Sequence, residues 1–382
     1  MRTSPSRMFT LAKQVVKDND FVYQKSTEHN YFFINLHIPN LEVLLIGLKN
    51  WNTWDDVDVF SYLNDYTLDR LRNDPSFYIF VDMAEEGFDP VYQFKFWPSI
   101  SSSIVTNNLP AKKIFYFSCN LQDEKNSKYV AFNVHVEHMW WSWQNDIHDY
   151  FNVEKEFKRA VKNTKRLHNK KFYSSLNRAP RFYRTYLNAC LYYSDAGEQG
   201  LFSQMSIPED NFKYNRNDID WTMLEKFQNQ LPLYIDHKVM NEPVQKYKHI
   251  FDQTLFHIAN ETVISNKFDR RMITEKSFKA ISTFTPMMLF ASGSSNKELE
   301  NYGFKGYESY FNVSALDKET PTEKIHEIVA ETNRVCKKLS NMTKAQRIEW
   351  KFSNEELLKH NFKTFRANIF NKTQRQKLLA YF

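Results

Sequence analysis

The residues Ile273-Thr274-Glu275-Lys276-Ser277-Phe278 place an acid and a base together where a helix should begin. Thr274 suits the N-cap, and Ile273 before it can pack on Phe278 as a hydrophobic staple, which puts Glu275 at N1 and Lys276 at N2. The helix dipole favours a glutamate there by roughly 0.3–1 kcal/mol and disfavours a lysine by a similar amount unless an anion shares the site. A helix N-terminus is a ready phosphate cradle, so the chemistry on offer is the holding of a phosphorylated ligand. The plain alternative is a solvated lysine that tolerates the dipole.

Two other groups could share that work. The stretch "NRAPRFYR" carries Arg178, Arg181 and Arg184, and an arginine fork matches phosphate oxygens. Asp82, Glu85 and Glu86, at and after the end of "FYIFVDM", offer carboxylates for general-base chemistry where α/β sheets collect ligands. Surface charges beside Gly87 explain them equally well. In "HVEHMWWSW" the alternation of Val130, Phe132, Val134 and Val136 puts His135 and Glu137 on one face of a strand and His138 on the other, which argues against zinc. Trp140, Trp141 and Trp143 suit a core or an acceptor-binding wall.

Composition narrows the classes. The 382 residues are 42% hydrophobic and 25% charged, with 33 Phe and 21 Tyr, which excludes a disordered chain and allows two domains. Only 7 glycines occur, and neither GxGxxG nor GxxxxGK[ST] is present, so a Gly-rich phosphate loop is excluded. The three cysteines, Cys119, Cys190 and Cys336, are widely spaced and fit neither a disulfide framework nor a zinc motif. No apolar run is long enough to span a membrane or serve as a secretory signal, so the expected location is cytoplasm. A net charge of +6 permits an anionic partner without requiring one.

The elements that must position these groups follow from pattern. "LEVLLIGL" (41–48), "FYIFVDM" (77–83) and "KKIFYFSC" (112–119) are continuous apolar runs, the mark of buried α/β strands, and "YVAFNVHVEHMWWSW" (129–143) adds a fourth. "NDYTLDRLRND" (64–74) is an amphipathic helix between them. The basic stretch 151–171 has few large apolar residues and marks a domain boundary near residue 165. "KFYSSLN" is then a strand, a helix follows Pro180 and closes near Gly197, and "GLFSQMS" is another strand. The helix of Thr274 must end by Thr285 because Pro286 follows, after which "MMLFA" is a buried strand and a further helix stops at Gly303. Capping boxes at Thr320/Glu323 and Ser353/Glu356 open two late helices.

"ITEKSFKAISTFTPMMLF" resembles the nucleotide-sugar motif of the α1,3-fucosyltransferase-like glycosyltransferases, and resembles more closely a group of such proteins from large tailed phages. "ENYGFKGYESYF" is similar to that group's Gly-Phe-Lys element. "KKFYSSLNRAPRFYR", "HIANETVISN" with Glu261 and Thr262, "FVDMAEEGFDP" and "KKIFYFSCNLQDE" are similar to its other blocks, so the likeness covers residues 75–120 and 170–315 in patches. In the phage group "RPHR" stands where this chain has "RFYR", which leaves the role of Tyr183 open.

The resemblance implies an α/β fold of the GT-B type: two Rossmann-like domains facing across a cleft, with C-terminal helices. The expected divisions are 1–165 for the acceptor side, 166–345 for the nucleotide sugar and 346–382 for a helical segment. It implies a glycosyltransferase acting on a nucleoside-diphosphate sugar, with an acceptor hydroxyl for which hydroxymethylated bases in phage DNA are a candidate. Lys276 would pair with a donor phosphate, Glu275 would accept from the ribose, and one of Arg178, Arg181 or Arg184 would be the second phosphate clamp. Thr274 and Glu261 belong to the same donor side; Glu86, then Glu85 and Asp82, are the candidate bases. No cofactor is expected, because cations can neutralise the leaving diphosphate without a metal. The reading from a different class is a single-stranded nucleic-acid-binding or structural viral protein, carried by "KEFKRAVKNTKRLHNKK" and "NKTQRQKLLAYF".

Overall fold

The computed structural model describes residues 23–25, 30–35, 42–47, 60, 63–83, 101–118, 130–133, 152–177, 180–206, 218–233, 244–261, 264, 273–291, 295–312, 318 and 320–369. The chain divides into two units, Met1–Trp140 with Asn371–Phe382, and Trp141–Phe370. The division therefore falls before Trp141 and not near residue 165.

In the first unit six strands lie side by side in chain order: β1 (Tyr23–Lys25), β2 (Asn30–Asn35), β3 (Glu42–Gly47), β4 (Phe77–Met83), β5 (Ile114–Ser118) and β6 (Val130–Asn133). β1 to β3 pair antiparallel and β3 to β6 parallel. Helix α1 (Asp65–Asn73) joins β3 to β4, capped by the Asn64 side chain, with Leu68 and Leu71 buried. Lys113 is buried at its other end and donates to the carbonyls of Leu71 and Asp74, 3.0 and 2.6 Å away. Because the described strands follow one another without a reversal of order, this sheet has no switch point among them, and a doubly wound first domain is not what they form.

The second unit is doubly wound. Its four strands are parallel in the order β10-β9-β7-β8, with β7 (Tyr173–Asn177), β8 (Gly200–Gln204), β9 (Phe256–Asn260) and β10 (Met287–Phe290). Among the described residues, seven helices join and flank them: α2 (Val153–Leu167), α3 (Phe182–Tyr192), α4 (Trp221–Gln228), α5 (Val244–Gln253), α6 (Glu275–Ser282), α7 (Ser295–Asn301) and α8 (Pro321–Ser340). Two more, α9 (Lys344–Lys351) and α10 (Glu355–Ile369), close the unit. α3 and α8 pack together on one side, while α2, α5, α6, α9 and α10 pack among themselves. Alternation assigns the faces: Ser175 and Asn177 of β7 bond to α3, whereas His257 of β9 meets Phe251 of α5.

The segment around residue 165 is thus no linker. Its helix α2 buries Phe157, Ala160 and Thr164, a face too small in side-chain volume to stand out beside its charges. Nor is 346–382 a separate piece up to residue 369, since α10 supplies Phe362 and Phe365 to the seat of α6. Phe284 stacks on Phe362 with centroids 4.5 Å apart and meets Phe157 edge-on at 5.3 Å, and Phe278 stacks on Phe365 at 5.5 Å.

Caps define the late helices. Thr320 caps α8 and also donates to the Glu323 carboxylate. For α10 the cap is Asn354, whose Oδ1 accepts from the Leu357 N–H, and not Ser353, which turns back to the Trp350 carbonyl. A full capping box sits instead at Thr343 and Gln346.

Candidate functional site

Both central strands of the second sheet finish on asparagine, "YSSLN" and "FHIAN". β7 and β9 are neighbours, but their connections leave toward opposite edges of the sheet, to β8 and to β10. This is the switch point, and the carboxyl ends of such strands are where doubly wound sheets bind ligands. Asn177, Asn260 and Glu261 stand there, with the entrances of α3 and α6 following in the chain.

The β7 side is held by a reciprocal pair. Arg184 Nε donates to Asn177 Oδ1 and Asn177 Nδ2 donates to the Arg184 carbonyl, both at 3.1 Å, and both residues are buried. Arg181 is exposed at the N-cap of α3, with no side-chain cap bond. Of the three arginines, Arg178 lies outside the described residues, Arg184 is buried, and Arg181 is the one shown open to a ligand.

Beneath the edge runs a chain of buried polar groups. Asn260 Nδ2 donates to Ser175 Oγ at 2.9 Å, Ser175 donates to Asn188 Oδ1 at 2.5 Å, and Asn188 Nδ2 donates to Gln204 Oε1 at 3.1 Å. The other end of Asn260 differs: its Oδ1 is buried and has no partner among the described residues. A buried acceptor left open is costly, and it points to a donor supplied from elsewhere.

The β9 side answers the puzzle of Lys276. Thr274 is the N-cap of α6, and the fully buried Glu261 reaches across to this helix entrance. Its Oε1 accepts from the Thr274 N–H at 3.0 Å and from the Ser277 hydroxyl at 2.6 Å; its Oε2 accepts from the Thr274 hydroxyl at 2.5 Å. The Thr274 hydroxyl accepts in turn from Lys276, from the backbone N–H at 3.4 Å and from Nζ at 3.1 Å. An anion does share the entrance with the lysine, and it belongs to the chain itself. Glu261, expected on the donor side, is a positioning group here, since three internal donors occupy it. Lys276 is half-buried beside it, and of Glu275 the structure describes the backbone at N1 but not the side chain.

Replacing Glu261 by alanine strands the Thr274 N–H and the Ser277 hydroxyl in a dry site. The expected loss is about 2–4 kcal/mol, read as a lower midpoint in urea, with glutamine recovering part of it through its own oxygen. An unchanged midpoint would contradict the capping role.

At the third strand end, buried Lys324 from the first turns of α8 donates to the Ala291 carbonyl at 3.0 Å, one residue past β10. Ala291 adjoins Phe290, whose carbonyl accepts from the Glu261 N–H. Sequence reasoning missed Lys324, Asn177 and Asn260. Asparagine closing two buried strands was the available signal for the latter pair.

Asp82 is the next-to-last residue of β4, opposite Gly47 of β3 and Phe117 of β5. Its side chain lies outside the described residues, as do Glu85, Glu86, His135, Glu137 and His138. Among the described residues no cluster of three or more His, Cys, Asp or Glu could hold a metal. Burial pushes the thiols of Cys190 and Cys336 up to about 12, which leaves both unreactive at neutral pH. No described helix is long and apolar enough to cross a membrane. No protein-family model, curated protein or solved structure matches the chain.

Proposed function

We propose that the protein is a glycosyltransferase of the GT-B type that moves a sugar from a nucleoside-diphosphate sugar to an acceptor hydroxyl, as the phage fucosyltransferase-like proteins it resembles. The observation that carries the reading is the place of the Thr-Glu-Lys motif: at a helix entrance beside the switch point of a parallel sheet. There Lys276 at the entrance of α6 and Arg181 at the entrance of α3 offer cations suited to a diphosphate. Glu275 at N1 is the acceptor for ribose hydroxyls. No Gly-rich loop is needed, which fits the 7 glycines of the chain.

In the reaction the acceptor oxygen bonds to the anomeric carbon as the bond to the diphosphate oxygen breaks. The hydroxyl proton passes to a carboxylate, for which Glu86, Glu85 and Asp82 are the candidates, and the departing charge is met by Lys276 and Arg181. Hydroxymethylated bases in DNA are one candidate acceptor.

Thermal-shift screening against UDP-, GDP- and ADP-sugars tests the donor assignment. One nucleotide should raise the melting temperature by several degrees, because a ligand at one hundred times its Kd adds about 2.7 kcal/mol. Lys276→Ala should abolish the shift while leaving the unliganded melt close to the wild type. If no nucleotide moves the melt, the donor assignment fails.

A further inference from the structure

Helix α2 carries Lys155, Lys158, Arg159, Lys162, Lys165 and Arg166, all exposed. Their spacing of three and four residues draws a single stripe along the helix, and Phe157, Ala160 and Thr164 occupy the opposite face in the core. Among the described residues, Arg159 alone of the six has an acid within reach. Of the two acids on α2, Glu154 is taken by Lys359, and Glu156 by Lys248 at 3.3 Å with Arg159 at a looser 3.7 Å. Lys155, Lys158, Lys162, Lys165 and Arg166 make no ion pair among the described residues.

We infer that this stripe is a docking track for the sugar–phosphate backbone of a nucleic acid, distinct from the nucleotide site and independent of it. From Lys155 to Arg166 the helix rises about 16 Å, the axial length of about five phosphates of one strand. Five unpaired cations at that pitch suit a regular row of anions better than a single small one. An anionic membrane is the poorer fit, because an interfacial helix inserts an apolar face and α2 has buried its own in the core. Among the described residues no aromatic ring is exposed along the stripe, so the backbone is what it meets and not the face of a base.

The test uses the full chain and fluorescence anisotropy with a labelled 20-base-pair duplex, the matching single strand, and vesicles of anionic lipid as a competitor. The duplex should bind at 50 mM salt, with log affinity falling against log salt with a slope of about −3 to −5. Reversing Lys158, Lys162 and Lys165 to glutamate should weaken binding more than tenfold and flatten the slope by about 3. Reversing exposed Lys226, Lys337 and Lys338 on α4 and α8 makes the same change in net charge and should cost less than threefold. Equal losses in the two triple variants would overturn the inference, as would binding confined to single strands or vesicles that displace the duplex. The nucleotide-dependent thermal shift should survive the α2 reversals, so the two readings fail separately.

Discussion

Alanine at Phe284 is expected to lower the stability of the second unit by about 3–5 kcal/mol, and glycine at the same position to be less harmful than alanine. Phe284 is buried to 1% exposure and lies between Phe362 and Phe157, so truncation opens a large cavity. It also follows the C-cap of α6 with φ of 54°, a left-handed conformation that disfavours any side chain. The chain closes the helix there in the manner of a Schellman turn: the Phe284 N–H bonds to the Ile281 carbonyl and the Thr285 N–H to the Ala280 carbonyl. Glycine is the usual occupant, and the ring contacts hold a phenylalanine in its place. Once the ring is gone, alanine keeps the backbone strain and glycine releases it, which inverts their ordinary ranking by about 1 kcal/mol. Urea titrations of the two variants read the order directly; alanine above glycine would mean that the turn is not strained.

The second large effect lies at Lys351. Its side chain is fully buried, and Nζ donates to the carbonyls of Phe251 and Thr254 at 2.7 and 2.8 Å, tying α9 to the end of α5. Burial depresses the amine to about 7 from 10.5, against the opposing pull of Asp252. Between those values the unfolded chain holds the proton and the folded chain does not, so stability rises as pH climbs from 7, by at most about 1.4 kcal/mol per unit. Above pH 9 the buried thiols Cys190 and Cys336 oppose the rise, because their protons leave more readily in the unfolded chain. The informative window is therefore pH 7 to 9. Lys351→Met should cost about 1–3 kcal/mol by stranding two carbonyls, and the gap to the wild type should widen across that window. A gap that stays constant from pH 7 to 9 would show that the amine titrates outside it.

These two residues also show where sequence reasoning stops. The boundaries of α6 were legible, because Thr274 is a good cap and Pro286 forbids continuation. The strands β3, β4, β5 and β10 followed from apolar runs between helices. Nothing local marks Phe284 as left-handed, since the contacts that force it come from residues 157 and 362. Lys351 sits in "IEWKF", where an amphipathic reading turns a lysine outward. Helix α2 was hidden because alanine and threonine make up most of its buried stripe and the flanking charges dominate any count. At the site, Lys276 and the N-cap were readable from spacing, but Glu261 comes from 13 residues upstream, and only the fold brings its carboxylate to the helix entrance. The apolar runs of the first sheet report burial alone, whereas its strand order, which departs from the Rossmann-like domain the resemblance implies, depends on pairings that no single run contains.

The central claim is that the entrance of α6 receives a diphosphate. A crystal structure of the protein with the nucleotide that shifts its melt, beside the same soak of Lys276→Ala, tests it most directly. The account predicts diphosphate oxygens about 2.7–3.0 Å from Lys276 Nζ and from a first-turn N–H of α6, with no nucleotide bound to the variant. A diphosphate seated elsewhere, or equal occupancy in the two crystals, would contradict it.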